Sequence, residues 1–232
     1  MANDAVMEWV CKTLIPDEDF RTRGVADKKA LWKKKELTVG FLQGSSKLQD
    51  RVLETARRWT NPDEGGALLK FIKAADPASA DIRIAFDPAG GSWSYVGTDA
   101  VTSAKKGQPT MNLGWATETA SDKSFASVVL HEFGHAIGLL HEHNHPMANL
   151  KWKKDVVYAD LGGPPNDWSK KTVDFNVFES YPPNRVVMSP NVDLVSIMIY
   201  TIPSRWLDGQ PGIMPSDHLS KGDIKFIRQL YT

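Results

Sequence analysis

The sequence has a single cysteine, no excess of charge and no long apolar run. With Cys11 alone, the 232-residue chain forms no internal disulfide and no multi-cysteine metal site. Lysine plus arginine and aspartate plus glutamate each number 28, so no global field favours nucleic acid or an anionic membrane. No window approaches the roughly 20 apolar residues that span a bilayer. Residues 1–15 also lack the basic start and apolar stretch of a secretion signal. We therefore expect specificity to come from a local site.

Strand and helix patterns alternate along the first 140 residues. No repeat and no low-complexity tract interrupts them. Short β-branched or alternating segments bounded by Gly, Pro or Asp predict five strands, at 37–43, 68–74, 81–86, 92–96 and 110–114. Apolar residues at helical spacing predict helices at 48–59, 122–140 and 220–231. Residues 147–218 contain eight of the 14 prolines and little sustained period, which predicts an irregular region there.

Five of the six histidines lie between residues 131 and 145, in the segment HEFGHAIGLLHEHNH. Residues four apart on a helix project from one face on successive turns, so His131 and His135 can share one metal ion. Glu132 points about 100° away from that face. It is therefore placed to act on a water at the ion rather than as a ligand.

His141 joins this pair only if the helix ends before it. A continuous helix would carry His141 about 15 Å along the axis from His131 and off the shared face. Gly138 can adopt the left-handed conformation that ends a helix, so we expect the chain to turn back there. Three imidazoles with an open fourth position are typical of catalytic zinc, whereas structural zinc normally has four protein ligands.

The motif resembles the zinc signature of the metzincin metalloproteases, HExxHxxGxxH. The later pentapeptide SIMIY, with Met198 and Tyr200, resembles their methionine turn in the form seen in astacins and serralysins. Two further segments resemble astacins: residues 91–97 resemble the edge strand, and the sequence from His141 to His143 matches an extension of the signature. The resemblance covers residues 91–200 by motif, although the two disulfides of usual astacins have no counterpart here.

The resemblance implies a single catalytic domain of the α+β class over residues 1–232. Its upper lobe (31–141) is expected to hold a twisted, mostly parallel but mixed five-stranded sheet and two long helices. An irregular lower lobe (142–232) is expected to end in a C-terminal helix, and residues 1–30 form an extension of unknown role. The implied activity is zinc-dependent endoproteolysis of protein or peptide substrates, by a secreted enzyme that we expect to be a monomer.

The resemblance also assigns roles to individual residues. His131, His135 and His141 are expected to bind Zn²⁺, and Glu132 to be the general base and acid. Tyr200 is expected to be a fifth ligand or a hydrogen-bond donor to the tetrahedral intermediate, with a packed core tyrosine as the alternative. Met198 is expected only to pack beneath the metal. His143, His145 and His218 are assigned no metal role.

Substrate binding is predicted at an unpaired sheet edge. Trp93, Ser94 and Tyr95 offer backbone groups to an extended peptide, unless their strand is an interior one whose aromatic rings face a core. The stretch 201–206 is expected to wall the pocket for the residue after the cut. There Arg205 either favours an acidic side chain or is simply a solvated arginine.

The sequence leaves three alternatives. Cys11 is either a thiolate that blocks the open zinc position or an ordinary buried thiol, and its surroundings resemble neither the cysteine switch of matrixins nor the aspartate switch of astacins. A matrixin-like protease without a tyrosine ligand is a second enzymatic hypothesis, which a nearly full rate after Tyr200→Phe would favour. A zinc-stabilised peptide-binding module is the non-enzymatic one, although the intact Glu132 argues against it.

Overall fold

The computed structural model describes residue 11 and residues 26–27, 29–164, 166–180 and 186–232. Within these ranges the strands are β1 (Ala26–Asp27), β2 (Glu36–Phe41), β3 (Lys70–Lys73), β4 (Ile82–Ala85), β5 (Ser92–Ser94), β6 (Met111–Leu113) and β7 (Val186–Val187). The helices are α1 (Ser46–Ala56), α2 (Asp99–Thr102), α3 (Asp122–Ala136), α4 (Lys154–Leu161), α5 (Lys170–Val173) and α6 (Lys221–Leu230). None of these helices is long and apolar enough to cross a membrane.

All five predicted strands pair in one mixed sheet, in the order β3-β2-β4-β6-β5. Strands β3, β2, β4 and β6 run parallel. Strand β5 pairs antiparallel with β6, with Ser92 opposite Leu113 and Ser94 opposite Met111. The α+β prediction is therefore confirmed. Because β5 is an outer strand, one of its edges has no neighbouring strand among the described residues.

The two long helices pack with the sheet in the main hydrophobic core. Val52 of α1, Phe125 and Phe133 of α3, and Trp59 just after α1 are buried there, as the apolar periodicity predicts. The Trp59 indole N–H donates to the carbonyl of Leu130 at 2.9 Å, which fixes α1 against the middle of α3. This contact anchors the helix that bears the histidine motif.

Beyond residue 141 the described chain is mostly irregular, as the proline content predicts. A second core packs α4 and α5 around Trp206 and Tyr200. Helix α6 returns to the main core through Phe226 and Ile227. The hydroxyl of Tyr231 then donates to the Ile137 carbonyl at 2.8 Å, so the chain end braces the end of α3.

Arg83 in β4 is buried, although the sequence pattern predicts an exposed side chain. Alternation in DIRIAF places Arg83 on a solvent face, but the side chain is only 5% exposed. Its guanidinium donates to the backbone carbonyls of Ala80, Ala100, Lys105 and Gln108 at 2.6–3.3 Å. Burial lowers the pKa of Arg83 from its usual value. The side chain thus serves as a hydrogen-bonded hub for the segment after β5.

We expect Arg83→Met to lower the free energy of unfolding by about 3–5 kcal/mol, because it leaves buried carbonyls without donors. For a chain of this size that corresponds to a melting temperature lower by about 6–20 °C. Thermal denaturation followed by circular dichroism measures the loss. Arg57→Met, at an exposed arginine just after α1, is the matched control and is expected to shift the melting temperature by less than about 2 °C. Equal shifts for the two variants would contradict the hub assignment.

Candidate metal centre and catalytic cleft

The end of α3 is built by Gly138, which has a φ of +95°. The N–H of Gly138 donates to the carbonyl of His135 at 2.8 Å, and the N–H of Leu139 donates to that of Gly134 at 2.9 Å. This pair of bonds is the Schellman arrangement, which ends a helix and reverses the chain. The helix therefore stops at Ala136, four residues earlier than the apolar pattern alone indicates. The predicted bend is present and brings His141 back to the helix.

Three imidazole nitrogens meet at one point. Nε2 of His141 lies 3.2 Å from Nε2 of His131 and 3.0 Å from Nε2 of His135. All three rings are buried, with at most 9% of each residue exposed. The structure thus brings together the three residues that the motif predicts.

Hydrogen bonds on the far side of two rings fix their protonation. Nδ1 of His131 lies 2.8 Å from the Ile197 carbonyl, and Nδ1 of His135 lies 2.9 Å from the Leu139 carbonyl. A carbonyl only accepts, so each Nδ1 carries the proton and each Nε2 presents a lone pair. Burial also lowers the pKa of His131 to about 4 and the pKa of His135 well below its usual value. The neutral rings are therefore set to bind a cation.

The geometry fits a tetrahedral metal ion. Nitrogens bonded to zinc at ~2.0–2.1 Å lie about 3.3 Å apart, close to the observed separations. A proton on Nε2 of His141 could satisfy only one of its two neighbouring lone pairs, whereas a cation satisfies all three. The Sγ atom of Cys11 completes a group of four possible ligand atoms that lie within 4.8 Å of one another. The donor set therefore fits a zinc ion.

Glu132 lies beside this centre, as its offset on the helix predicts. Glu132 is only 1% exposed, and this burial raises the pKa of its carboxyl group to about 8. Oε2 accepts a hydrogen bond from the Cys11 thiol at 3.3 Å. A carboxyl group with a raised pKa beside a metal centre is suited to take up and return a proton near neutral pH.

Cys11 occupies the cleft, a position for which the local sequence gives no indication. Only 4% of Cys11 is exposed to solvent. Burial, with the nearby Glu132 carboxylate, raises the pKa of the thiol well above its usual value. The backbone N–H of Ser94 on β5 donates to the sulfur. The sulfur therefore lies beside both the candidate base and the imidazole cluster.

Tyr200 lies on the other side of the cluster and is 2% exposed. Its ring centroid lies 4.2 Å from those of His141 and His143. The tyrosine hydroxyl donates to the backbone carbonyl of Cys11. His143 is itself buried, and its Nε2 lies 2.9 Å from the Asn176 carbonyl, so this ring is not at the surface. Tyr200 can thus donate a hydrogen bond to a peptide carbonyl lying in the cleft.

Met198 packs directly beneath α3. A Cβ atom placed on Gly134 would lie 2.2 Å from the Met198 sulfur, so a larger residue at this position would displace the methionine side chain. The carbonyl of Met198 accepts from the N–H of Glu142 at 3.0 Å. These contacts agree with the packing role expected of this methionine.

The predicted substrate-binding residues separate into two groups. Ser94 is buried on β5, while Trp93 and Tyr95 are half-buried and their rings meet edge to face at 6.3 Å. Arg205 lies elsewhere, with a half-exposed side chain paired to the Asp160 carboxylate at 3.0 Å. Ser94 of the edge strand is connected to the cleft through Cys11, but neither the three edge-strand residues nor Arg205 line the cavity next to Glu132.

Comparisons with known proteins agree with this geometry. Residues 24–151 match the model of the astacin peptidase family. A structure of myroilysin is 36% identical with a TM-score of 0.82, covering 90% of this chain and 98% of its own. A crystal structure of myroilysin is 34% identical with a TM-score of 0.71, covering 97% and 91%. High choriolytic enzyme 1, a hatching enzyme zinc-protease from the medaka fish Oryzias latipes, is 15% identical with a TM-score of 0.60, covering 91% and 98%, and shares the fold. No curated protein sequence matches the chain.

Proposed function

Because the chain belongs to the astacin family of zinc metalloendopeptidases, we propose that His131, His135 and His141 hold a catalytic zinc ion and that Glu132 is the general base. The observation that carries this assignment is the convergence of three Nε2 atoms at 3.0 and 3.2 Å. Two of them are fixed as lone-pair donors by the carbonyls behind their rings. Three protein nitrogens leave a further coordination position for chemistry.

Zinc bound there would polarise the scissile carbonyl and lower the pKa of an attacking water. The Glu132 carboxylate takes the proton of that water at an Oε atom as the oxygen attacks the carbonyl carbon. The same carboxyl group then delivers the proton to the leaving amine nitrogen as the C–N bond breaks. Its burial favours this second step, because a raised pKa makes Glu132 hold the proton between the two transfers.

Tyr200 is proposed to stabilise the oxyanion that forms on the scissile carbonyl. Support comes from its hydroxyl, which donates to the Cys11 carbonyl within the cleft. A substrate carbonyl at that place would receive the same bond, which strengthens as negative charge develops. This contact favours the role of hydrogen-bond donor over that of fifth ligand. Membership of the astacin family also favours an astacin-like protease over the matrixin-like protease and over the non-enzymatic peptide-binding module.

Substrates are proposed to be polypeptides bound in extended form along β5. An edge strand pairs with any peptide backbone, so such binding is independent of sequence. The bond from the Ser94 N–H to Cys11 supports this proposal, because it uses a free edge group to hold a different segment of chain. Trp93 and Tyr95 would flank that segment.

The present form of the chain is proposed to be latent, with Cys11 as the blocking group. The thiol contacts the catalytic carboxylate, and its sulfur lies within 4.8 Å of the three ligand nitrogens. A thiolate is a strong zinc ligand and would fill the position that water needs. The carbonyl of Cys11 also accepts the hydrogen bond of the Tyr200 hydroxyl. Cys11 would therefore occupy the open metal position, the Glu132 carboxylate and the Tyr200 hydroxyl at the same time.

The proposed function is tested by digestion of casein with the full-length Cys11→Ala variant loaded with zinc. We expect internal cleavage of casein, complete loss of cleavage with a chelator, and recovery when zinc is added back. Metal analysis of the same sample is expected to give about one zinc per chain. Digestion that resists the chelator, or a folded protein that binds no zinc, would overturn the assignment.

A further inference from the structure

Asp223 is a buried carboxylate that the mechanism above does not use. It lies in the first turn of α6. Its Oδ1 accepts from the Ser196 hydroxyl at 2.6 Å, and its Oδ2 accepts from the backbone N–H groups of Ile197 and Ser220 at 2.9 and 2.8 Å. Burial raises the pKa of Asp223, and these hydrogen bonds oppose the rise. A carboxylate only accepts, so three converging donors suit its ionised form.

Capping of α6 explains only one of the three bonds. Ser220 and Asp223 form a capping box, in which the N–H of each residue donates to the side chain of the other at 2.8 Å. The other two bonds come from Ser196 and Ile197 in the methionine turn, 27 and 26 positions earlier in the chain. Asp223 therefore joins the C-terminal helix to the turn that lies beneath the histidine cluster.

A relay of hydrogen bonds leads from this carboxylate to His131. The Ser196 hydroxyl, which donates to Asp223, accepts from the N–H of Met198 at 2.9 Å. That N–H belongs to the peptide group between Ile197 and Met198. The carbonyl of the same peptide group lies 2.8 Å from Nδ1 of His131. One hydroxyl and one peptide group thus connect the carboxylate to the Nδ1 proton of the ring.

We propose that Asp223 and Ser196 are positioning residues of the zinc site, which strengthen His131 as a ligand through this relay. The proposal rests on the function proposed above, because it concerns the same zinc site. A negative charge at the start of a relay polarises each bond along it, so the Ile197 carbonyl accepts the Nδ1 proton more strongly. A stronger bond at Nδ1 increases the electron density on Nε2, which makes His131 a better donor to a metal ion.

Burial allows the relay to act over this distance. Ser196, Ile197 and Met198 are all buried, so water does not compete for their hydrogen bonds. The separation of 2.6 Å between the Ser196 hydroxyl and Asp223 is typical of a charge-assisted bond. Replacing a hydrogen-bond partner of a metal-binding histidine typically weakens metal affinity by about 10–100-fold. We expect the lower end of that range, because Asp223 acts through two intermediate groups.

The test acts on Ser196, because Asp223→Asn would also remove an acceptor from the backbone of α6. Ser196→Ala breaks the relay and leaves the capping box intact. Zinc affinity is measured by competition with a chromogenic chelator, with the full-length Cys11→Ala protein as the parent. We expect Ser196→Ala to raise the dissociation constant for zinc about 10-fold. Ser196→Thr keeps a hydroxyl that both donates and accepts, and its constant should stay within about 2-fold of the parent value.

Ser220→Ala is the matched control for a loss of stability. It removes a buried hydroxyl that caps α6, but that hydroxyl is not part of the relay. The lost cap should lower the melting temperature. The dissociation constant for zinc should nevertheless change by less than about 2-fold, because the bonds from Asp223 to His131 remain.

A second measurement needs no metal. In metal-free protein with isotope-labelled histidine, the NMR signal of the His131 Nδ1 proton should move upfield in Ser196→Ala, because its bond to the Ile197 carbonyl weakens. The signal should keep its position in Ser220→Ala. An unmoved signal, an unchanged dissociation constant, or equal weakening by Ser220→Ala would overturn the inference and leave the zinc assignment intact. A parent protein that binds no zinc would instead count against the proposed function.

Discussion

Replacing Glu132 with glutamine will reduce kcat/KM for peptide hydrolysis by at least about 10³-fold while leaving zinc binding unchanged. The amide keeps the size of the side chain but accepts no proton, so the attacking water loses its base and the leaving amine loses its acid. The fold will tolerate the change, because burial already favours the neutral form of this carboxyl group and raises its pKa to about 8. Initial rates on a fluorogenic peptide, in the Cys11→Ala background, measure the loss.

Two further measurements make that result specific. Zinc content and melting temperature of Glu132→Gln should match those of its parent, which separates lost chemistry from lost structure. Glu54→Gln, at an exposed glutamate on α1, should retain the parent rate. Peptidase activity of Glu132→Gln close to the parent level would show that another group takes the proton, and the mechanism proposed here would be wrong.

Removing the thiol of Cys11 should produce the second large effect, an increase in activity. If the cleft of the wild-type chain is open for about 1% of the time, Cys11→Ala will raise the rate about 100-fold. The reason is that alanine offers neither a ligand for the metal position nor a donor for Glu132, which the sulfur now contacts at 3.3 Å. Initial rates of the two zinc-loaded full-length proteins on the same peptide give the ratio.

The single cysteine provides an internal control for this experiment. A thiol-modifying reagent can react only at Cys11, and it reaches this buried thiol only while the cleft is open. After prolonged incubation it should activate the wild-type chain and leave the Cys11→Ala variant unaffected. Equal rates for the wild-type and variant proteins, with no response to the reagent, would contradict latency through the thiol.

Much of the metal centre follows from local rules. The four-residue spacing of His131 and His135 places both rings on one face of any helix, and Gly138 supplies the turn that His141 requires. The five strands were also predictable, because alternating or β-branched segments lie between Gly, Pro and Asp residues. Their ends differ by a few residues from those observed: the predicted strand 92–96 is observed as Ser92–Ser94.

Other features of the fold and of the site have no local indication in the sequence. The burial of Arg83 depends on carbonyls from residues up to 25 positions away, which strand alternation does not describe. The contact of Cys11 with Glu132 joins residues 121 positions apart. Arg205 was weighed as a substrate-binding residue from its place after the methionine turn, but its pairing with Asp160 arises from the packing of α4.

The sequence by itself determined the family, the sheet and the three histidines with their glutamate, because each of these depends on spacing within one element or on a contiguous motif. Only the tertiary structure decided that Cys11 lies in the cleft and that Tyr200 faces a peptide carbonyl. Such contacts join residues far apart in the chain. They are set by how the whole chain packs and closes its loops, and no short window of sequence contains that information.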